Sequence, residues 1–283
     1  MAGNLTVGAL LAQGIHRLQE ASGESAVMLD AEVLLAHAMA MSRAQIKSHP
    51  ETMPSAARAR RYAELIERRA GGEPVAYITG HREFWSLQLG VSSTVLVPRP
   101  ETELLVERAL VARPDRTGRI ADLGTGSGAI ALALASARPE WQITATDVSE
   151  EALATARTNA AALGLGQIEF VAGSWFEPLA GRRFDLVLSN PPYVAEGDPA
   201  LLHTALKHEP RLALAAGVDG LACLRIIIQW APRYLERHGW LLLEHGSVQA
   251  AAVARELVVR GFRYVRSHRD LAGHERMTEA QWA

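Results

Sequence analysis

From Arg119 to Asp122 the chain reads as a short apolar strand that runs straight into Gly124-Thr125-Gly126-Ser127-Gly128 and then into an alanine-rich helix. A strand, a glycine-rich turn and a helix in immediate succession leave few folds open. Glycines permit the tight turn and let a ligand lie against bare backbone. The elements that follow repeat the pattern. Strands are expected at Trp141–Asp147, Ile168–Ala172, Phe184–Ser189 and Trp240–Glu244, with helices at Ser149–Leu163, Leu221–Arg237 and from Ser247 to about Gly261. Tyr264–His268 and Arg276–Ala280 read as a terminal hairpin. Repeated strand–helix units make a mostly parallel sheet covered on both faces, an α/β fold. Ligands in such sheets sit beyond the carboxyl ends of the strands.

Residues upstream have another texture. Residues 1–74 read as a helical domain. Thr6 is the expected cap of a helix running to about Glu20, and Thr52 with Pro54 the expected start of a helix that stops at Gly71-Gly72. Residues 75–97 alternate apolar and polar side chains, among them Val75, Tyr77, Ile78, Leu87, Leu89 and Val91, and read as a β-hairpin linker. Residues 98–283 form the α/β domain. A chain of 283 residues is long enough for two such domains.

Composition narrows the function. Apolar residues make up 48% and charged residues 21%, which is ordinary for a globular protein. The formal net charge is −2, and residues 1–75 carry eight basic and eight acidic side chains. No basic arm advertises direct contact with nucleic acid. Cys223 is the single cysteine, so no internal disulfide forms. The N-terminal stretch has no basic region before its apolar residues and reads as an amphipathic helix. No window approaches the ~18 apolar residues of a membrane span. A cytoplasmic monomer without a membrane partner is the plain expectation. His203, His208 and His245 have no ligand-spaced partners, and no metal site is expected.

The glycine loop has the spacing G-x-G-x-G, one residue short of the dinucleotide fingerprint. Asp147 ends the next strand, where a carboxylate can accept hydrogen bonds from both hydroxyls of a ribose. Both NAD and S-adenosylmethionine carry that ribose, so Asp147 does not choose between them. It can also simply cap the following helix. Trp175, after the third strand, can sandwich an adenine or can be a core residue.

Asn190-Pro191-Pro192-Tyr193 follows the apolar strand Phe184–Ser189 and therefore lies beside the expected cofactor crevice. An amide nitrogen is a poor nucleophile, and a sulfonium methyl donor needs no further activation. The task is to hold a planar nitrogen in line with the methyl group. The Asn190 side-chain oxygen can accept one N–H and the Pro191 carbonyl the other. Pro192 stiffens the loop, and Tyr193 can stack on the flat substrate group. These residues point to methylation of an amide or amine nitrogen. Glu101 and Glu103 are expected to fix a loop over the cofactor or to cap a helix. Arg99 is expected either to bind a cofactor carboxylate or to hold the hairpin, with the structural role favoured.

With these residues in view the chain resembles the HemK/PrmC family of release factor glutamine methyltransferases. The resemblance rests on Gly72-Glu73-Pro74, Tyr77-Ile78-Thr79-Gly80 and Glu83-Phe84, and on Val97-Pro98-Arg99-Pro100-Glu101-Thr102-Glu103. The glycine loop, Asp147, Trp175, the Asn-Pro-Pro-Tyr turn and Glu209-Pro210-Arg211 extend it. Gly217 to Leu221 and Asp270 to Arg276 complete it. It implies a helical substrate-recognition domain joined by a hairpin to a Rossmann-like, seven-stranded class I methyltransferase domain. It implies S-adenosyl-L-methionine as co-substrate, bound at Gly124, Thr125, Gly126, Ser127, Gly128, Asp147, Trp175 and Asn190. It implies methylation of the glutamine side-chain nitrogen in the Gly-Gly-Gln motif of bacterial class-1 peptide chain release factors, gripped by Asn190, Pro191, Pro192 and Tyr193. Other readings of the same residues are a DNA adenine methyltransferase, a methylase of a ribosomal protein, a non-catalytic cofactor-binding module and a dinucleotide oxidoreductase. Balanced charge weighs against the first, the intact substrate turn against the third, and glycine spacing against the last.

Overall fold

The structure is a computed structural model, and it describes residues 5–22, 27–113, 115–202 and 206–283. His203 and the first four residues lie outside these. The chain divides into two compact units: residues 1–80 with 203–208, and residues 81–202 with 209–283.

The first unit is helical, with α1 (Val7–Ser22), α2 (Met28–Met39), α3 (Arg43–Ser48), α4 (Ala56–Ala70) and α5 (Val75–Thr79). Thr6 caps α1 through a bond from the Ala9 amide to its Oγ1 at 3.2 Å. Ser42 and Gln45 close a capping box at the start of α3. Before α4 the cap is Ser55, which accepts the Arg58 amide, so Pro54 precedes the cap and Thr52 plays no part in it. Ser55 offers its oxygen from extended backbone, the geometry a cap requires. Leu34, Leu35, Leu65 and Ile66 bury themselves in one core. Residues 75–79 are also helical, closing on Gly80 at φ +79°. The strand pattern expected there is overridden because Val75 and Ile78 join this helical core.

The hairpin is confined to β1 (His81–Phe84) and β2 (Leu87–Gly90) of the second unit. Trp85 and Ser86 both have positive φ, 53° and 60°, as a two-residue hairpin turn with the twist of its strands requires. Phe84 and Leu89 bury against the α/β core.

That core is built on β3 (Gly118–Leu123), β4 (Trp141–Asp147), β5 (Glu169–Ala172), β6 (Phe184–Ser189), β7 (Leu235–Glu244), β8 (Arg263–Arg269) and β9 (Glu275–Gln281). The strand order is β5-β4-β3-β6-β7-β9-β8. The first five run parallel, and β9 is antiparallel to both its neighbours. This is the seven-stranded sheet the resemblance implies. Alternate residues feed opposite faces: Ile120, Leu186 and Leu242 enter one core, and Ala121, Val187 and Leu241 the other. The helices α6 (Glu103–Ala112) and α7 (Ala129–Ala137) cover the first face, while α9 (Ala222–Trp230) and α10 (Ala250–Arg260) cover the second. Between α7 and α9 in sequence lies α8 (Glu150–Ala162), which packs beside β4 and β5. The helix expected to reach Arg237 ends at Trp230; Pro232 cannot continue it, and β7 begins at Leu235.

Candidate active site

Sheet register assembles the site. Leu123 pairs with Thr146 on one side and Ser189 on the other, and Ser189 pairs with Leu243. The next residue of each strand or turn is Gly124, Asp147, Asn190 and Glu244. All four therefore emerge together at the carboxyl edge, where β3 and β6 diverge toward opposite ends of the sheet. A cavity of about 360 Å³ opens there, lined by Gly124 to Ser127, Asp147, Trp175, Asn190 and Pro192.

The glycine loop is held from below. Gly124 and Thr125 donate their amides to the Thr146 carbonyl at 2.8 and 2.9 Å, and Thr125 Oγ1 donates to Asp122 Oδ2 at 2.6 Å. Burial pushes the Asp122 carboxyl up to about 6, and the Thr125 bond moderates this. The three glycines differ in what they make room for. All have positive φ, at 73°, 57° and 84°. A Cβ on Gly124 would come within 3.2 Å of the Trp175 ring. One on Gly128 would meet Ala156 and Leu132 at 3.1 Å, so that glycine serves helix packing. One on Gly126 would meet nothing within 4 Å and would project into open space.

Asp147 accepts the Gly126 amide on Oδ2 at 2.8 Å and the Ser149 amide on Oδ1 at 2.9 Å. Each oxygen keeps a lone pair for a further donor. Burial raises its pKa above the ordinary aspartate value, and three backbone amides oppose this. Asp147 thus braces the start of α8 and faces the cavity at once. Trp175 sits at φ +48°, with its carbonyl held by Thr146 Oγ1 at 3.0 Å. It is half-buried, lines the cavity and packs partly on the core.

At the Asn-Pro-Pro-Tyr turn, Ser189 Oγ donates to the Leu123 carbonyl at 2.7 Å, tying the turn to the glycine loop. Asn190 Nδ2 donates to Thr102 Oγ1 at 3.1 Å. Its Nδ2 is therefore engaged, and Oδ1 is the atom left to accept. Pro191 is buried, and among the described residues no backbone amide donates to its carbonyl. Tyr193 is half-buried and is not among the residues that line the cavity. Its ring packs against the core, and its hydroxyl donates to Glu244 Oε1 at 3.4 Å. Burial, then the Glu244 charge, raises the phenol above its ordinary value. Gln249 Nε2 donates to the Tyr193 carbonyl at 3.0 Å, and a Cβ on Gly220 would stand 2.3 Å from the same oxygen. The loop after the turn is thus packed down on it.

The Pro-Arg-Pro-Glu-Thr-Glu stretch roofs one side. Arg99 Nη2 meets Glu209 Oε1 at 2.5 Å, and Glu209 Oε2 accepts the Val97 amide at 3.3 Å. Arg99 also borders the cavity. Glu103 accepts the Trp85 amide at 2.8 Å and so holds the hairpin turn. His245 is fully buried between Gly246 and Thr278, with burial lowering its basicity. Among the described residues no three His, Cys, Asp or Glu side chains cluster as a metal site would.

Three residues escape the sequence reading. Thr102 stands in a stretch whose letters are distinctive, yet nothing in a string shows that its hydroxyl meets Asn190. Glu244 reads as the end of a strand. Asn159 reads as one residue of a helix, but its buried carboxamide bonds both backbone groups of Gly90 and the Ser127 carbonyl, pinning hairpin to glycine loop.

The chain matches two family models, the methyltransferase small domain over residues 98–256 and the PrmC N-terminal domain over residues 9–80. It is 50% identical over 255 residues to a release factor glutamine methyltransferase of Pseudomonas aeruginosa, covering 90% of this chain and 92% of that one. A relative of the same name from Xylella fastidiosa is 47% identical, with 95% and 96% covered, and one from Vibrio cholerae 45%, with 99% and 98% covered. Among solved structures, the hMettl16 catalytic domain in complex with MAT2A 3′UTR hairpin 6 aligns with a TM-score of 0.59 at 18% identity, over 78% of this chain and 82% of that one. A methyltransferase from Pyrococcus furiosus aligns with a TM-score of 0.54 at 18% identity, over 79% and 98%. At that identity the structures speak for the fold alone. The sequence relatives span nearly the whole chain, through both units, and the chain belongs to the release factor glutamine methyltransferase (HemK/PrmC) family.

Proposed function

We propose that this chain transfers the methyl group of S-adenosyl-L-methionine to the side-chain nitrogen of the glutamine in the Gly-Gly-Gln motif of bacterial class-1 release factors, in support of translation termination. The carrying observation is Asn190. Its Nδ2 is committed to Thr102, so the free acceptor Oδ1 stands beside the glycine loop. The names of the nearly full-length relatives support the substrate. The helical unit is read as the part that recognises the protein substrate, and the chain as a cytoplasmic monomer. Among the described residues no helix is long and apolar enough to cross a membrane.

The residues present fit the donor. Gly126 leaves bare backbone facing open space, Asp147 keeps lone pairs for a ribose, and the Trp175 face lines the wall. When bound, S-adenosyl-L-methionine supplies a methyl group on a positively charged sulfur. Asn190 Oδ1 accepts one N–H of the substrate amide, and the Pro191 carbonyl the other. Two acceptors orient the nitrogen lone pair along the line of transfer. Held there, the donor would supply the methyl group, and Asn190 and Pro191 would keep the substrate nitrogen in line with it. The extra proton then leaves nitrogen for water, so no strong base is required. Tyr193 is assigned to stack on the flat substrate group, and its backbone carbonyl accepts Gln249 Nε2.

Labelled methyl transfer to a purified release factor, beside one whose motif glutamine is replaced, tests the reading. Label on the wild-type factor alone supports it. Label on DNA or on a ribosomal protein overturns the substrate and keeps the chemistry.

A further inference from the structure

Asparagine is a poor residue for the interior of a helix and a costly one to bury. Asn159 lies within α8 and is only 4% exposed. Its carboxamide is fully used. Oδ1 accepts the Gly90 amide at 2.7 Å, while Nδ2 donates to the Gly90 carbonyl at 3.0 Å and to the Ser127 carbonyl at 2.9 Å. Nδ2 has two protons, one for each carbonyl. Turned over, the group would set its oxygen against two carbonyls and its nitrogen against an N–H. A carboxylate in its place could accept from Gly90 but donate to neither carbonyl.

Gly90 and Ser127 belong to different parts of the cavity wall. Gly90 ends β2, and the segment it leads into brings Thr94, Val95 and Leu96 to the cavity. Ser127 lines the cavity from the glycine loop. Gly90 is fitted to the contact, since a Cβ there would stand 3.0 Å from Asn159 Oδ1. The neighbouring loop residues are set against the same helix. Asp147, just before α8, takes the Gly126 amide, and Ala156 of α8 lies 3.1 Å from where a Cβ on Gly128 would be.

We propose that Asn159 is a positioning residue for the methyl donor: by joining Gly90 to Ser127 it ties the 94–96 wall to the glycine loop and shapes the cavity before the donor arrives. The inference rests on the reading that this cavity takes S-adenosyl-L-methionine, and deepens it. Asn159 does not itself line the cavity, so it acts only through the two segments it holds. A site that must order its walls around a ligand loses affinity to that ordering, and a site already tied does not. The effect therefore belongs to donor binding. The transfer step, aligned by Asn190 and Pro191, is left to proceed once the donor is bound.

The test titrates S-adenosyl-L-methionine calorimetrically into the full chain and into Asn159→Ala, Asn159→Asp, Gly90→Ala and the double variant Gly90→Ala with Asn159→Ala. Asn159→Ala is expected to weaken donor binding about tenfold, through the loss of three bonds to buried backbone groups. Its kcat for the release factor at saturating donor should stay within about threefold of the wild type, the signature of lost binding rather than lost chemistry. Asn159→Asp keeps the acceptor and loses both donors, and should bind the donor as weakly as the alanine variant. Gly90→Ala should weaken binding about threefold or more by displacing Asn159. In the Asn159→Ala background it should add nothing, because both substitutions act through one contact. Gly14→Ala, a destabilising change in the helical unit, should leave donor affinity unaltered and so separates positioning from general loss of stability. Unchanged donor affinity in Asn159→Ala overturns the proposal, as does an equal loss in Gly14→Ala or additive losses in the double variant. Should Asn159→Ala fail to fold, unchanged affinity in Gly90→Ala overturns it. If the wild type does not bind the donor, the reading of the cavity has failed instead. Asn159 is then judged by hydrogen exchange at the amides of residues 94–96. Faster exchange in Gly90→Ala and Asn159→Ala upholds the tie, and exchange equal to the wild type overturns it.

Discussion

The guanidinium of Arg99 meets the carboxylate of Glu209 at 2.5 Å, joining segments 110 residues apart. Glu209 is almost wholly buried, Arg99 about a third exposed, and the same carboxylate takes the Val97 amide. Two distinctive stretches, Pro-Arg-Pro and Glu-Pro-Arg, are thus one piece of structure at the rim of the cavity.

Glu209→Ala should therefore loosen the wall that carries Thr102. Breaking a partly exposed pair together with a backbone bond is expected to cost about 2 kcal/mol of stability. Donor affinity should weaken with it. Denaturant unfolding and calorimetric titration of the donor measure the two effects. Arg99→Lys should recover only part of the loss, because an ammonium cannot copy the guanidinium's planar reach.

The glycines of the loop should separate by role. Gly128→Ala meets Ala156 and Leu132 at a positive φ and is expected to destabilise the fold by about 2 kcal/mol. Gly126→Ala meets no protein atom, so its stability loss should be limited to backbone strain, about 1 kcal/mol. Its donor affinity should fall far more steeply than that of Gly128→Ala. Equal donor affinities for the two variants would contradict this division.

Stability should depend on pH through the buried acids. Glu244 keeps its proton in the folded protein to about pH 7, whereas an unfolded glutamate loses it near 4.5. Between those values the folded chain binds the extra proton, so stability falls as pH rises through this window. Asp122, pushed up to about 6, acts in the same direction from 3.8 upward. Glu244→Gln should thus be more stable than the wild type above pH 7, with the gain shrinking toward pH 4.5. Unfolding at pH 5 and pH 8 reads this directly. Greater stability with poorer turnover would mark a residue kept for function.

In the helical unit, Gly14 faces Tyr62, whose ring a Cβ would overlap at 2.0 Å from the hydroxyl. Tyr62 is buried and reaches the Ala31 carbonyl at 3.4 Å. Gly14→Ala should cost about 1–3 kcal/mol by overpacking. Circular dichroism melts of the full chain check it, and Tyr62→Phe should soften the loss by removing the clashing oxygen.

Local chemistry determined much of this protein in the sequence itself. Strand periodicity, glycines where φ must be positive and Ser or Thr caps act over a few residues, so the strands from Gly118 to Glu244 and the turn at Asn190 were legible. So was the glycine loop, although which glycine packs a helix and which faces open space was not. Alternation at residues 75–79 predicts strand, whereas α5 forms because Val75 and Ile78 answer to a helical core. The apolar run predicts a longer helix than α9, which Pro232 ends sooner. What only the tertiary structure decided is the set of partners brought together by register. Thr102 with Asn190, Glu244 with Tyr193 and Asn159 with Gly90 are pairs separated by 88, 51 and 69 residues. A hydrogen bond forms between atoms close in space, and distance along the chain carries no trace of it until the strands have paired.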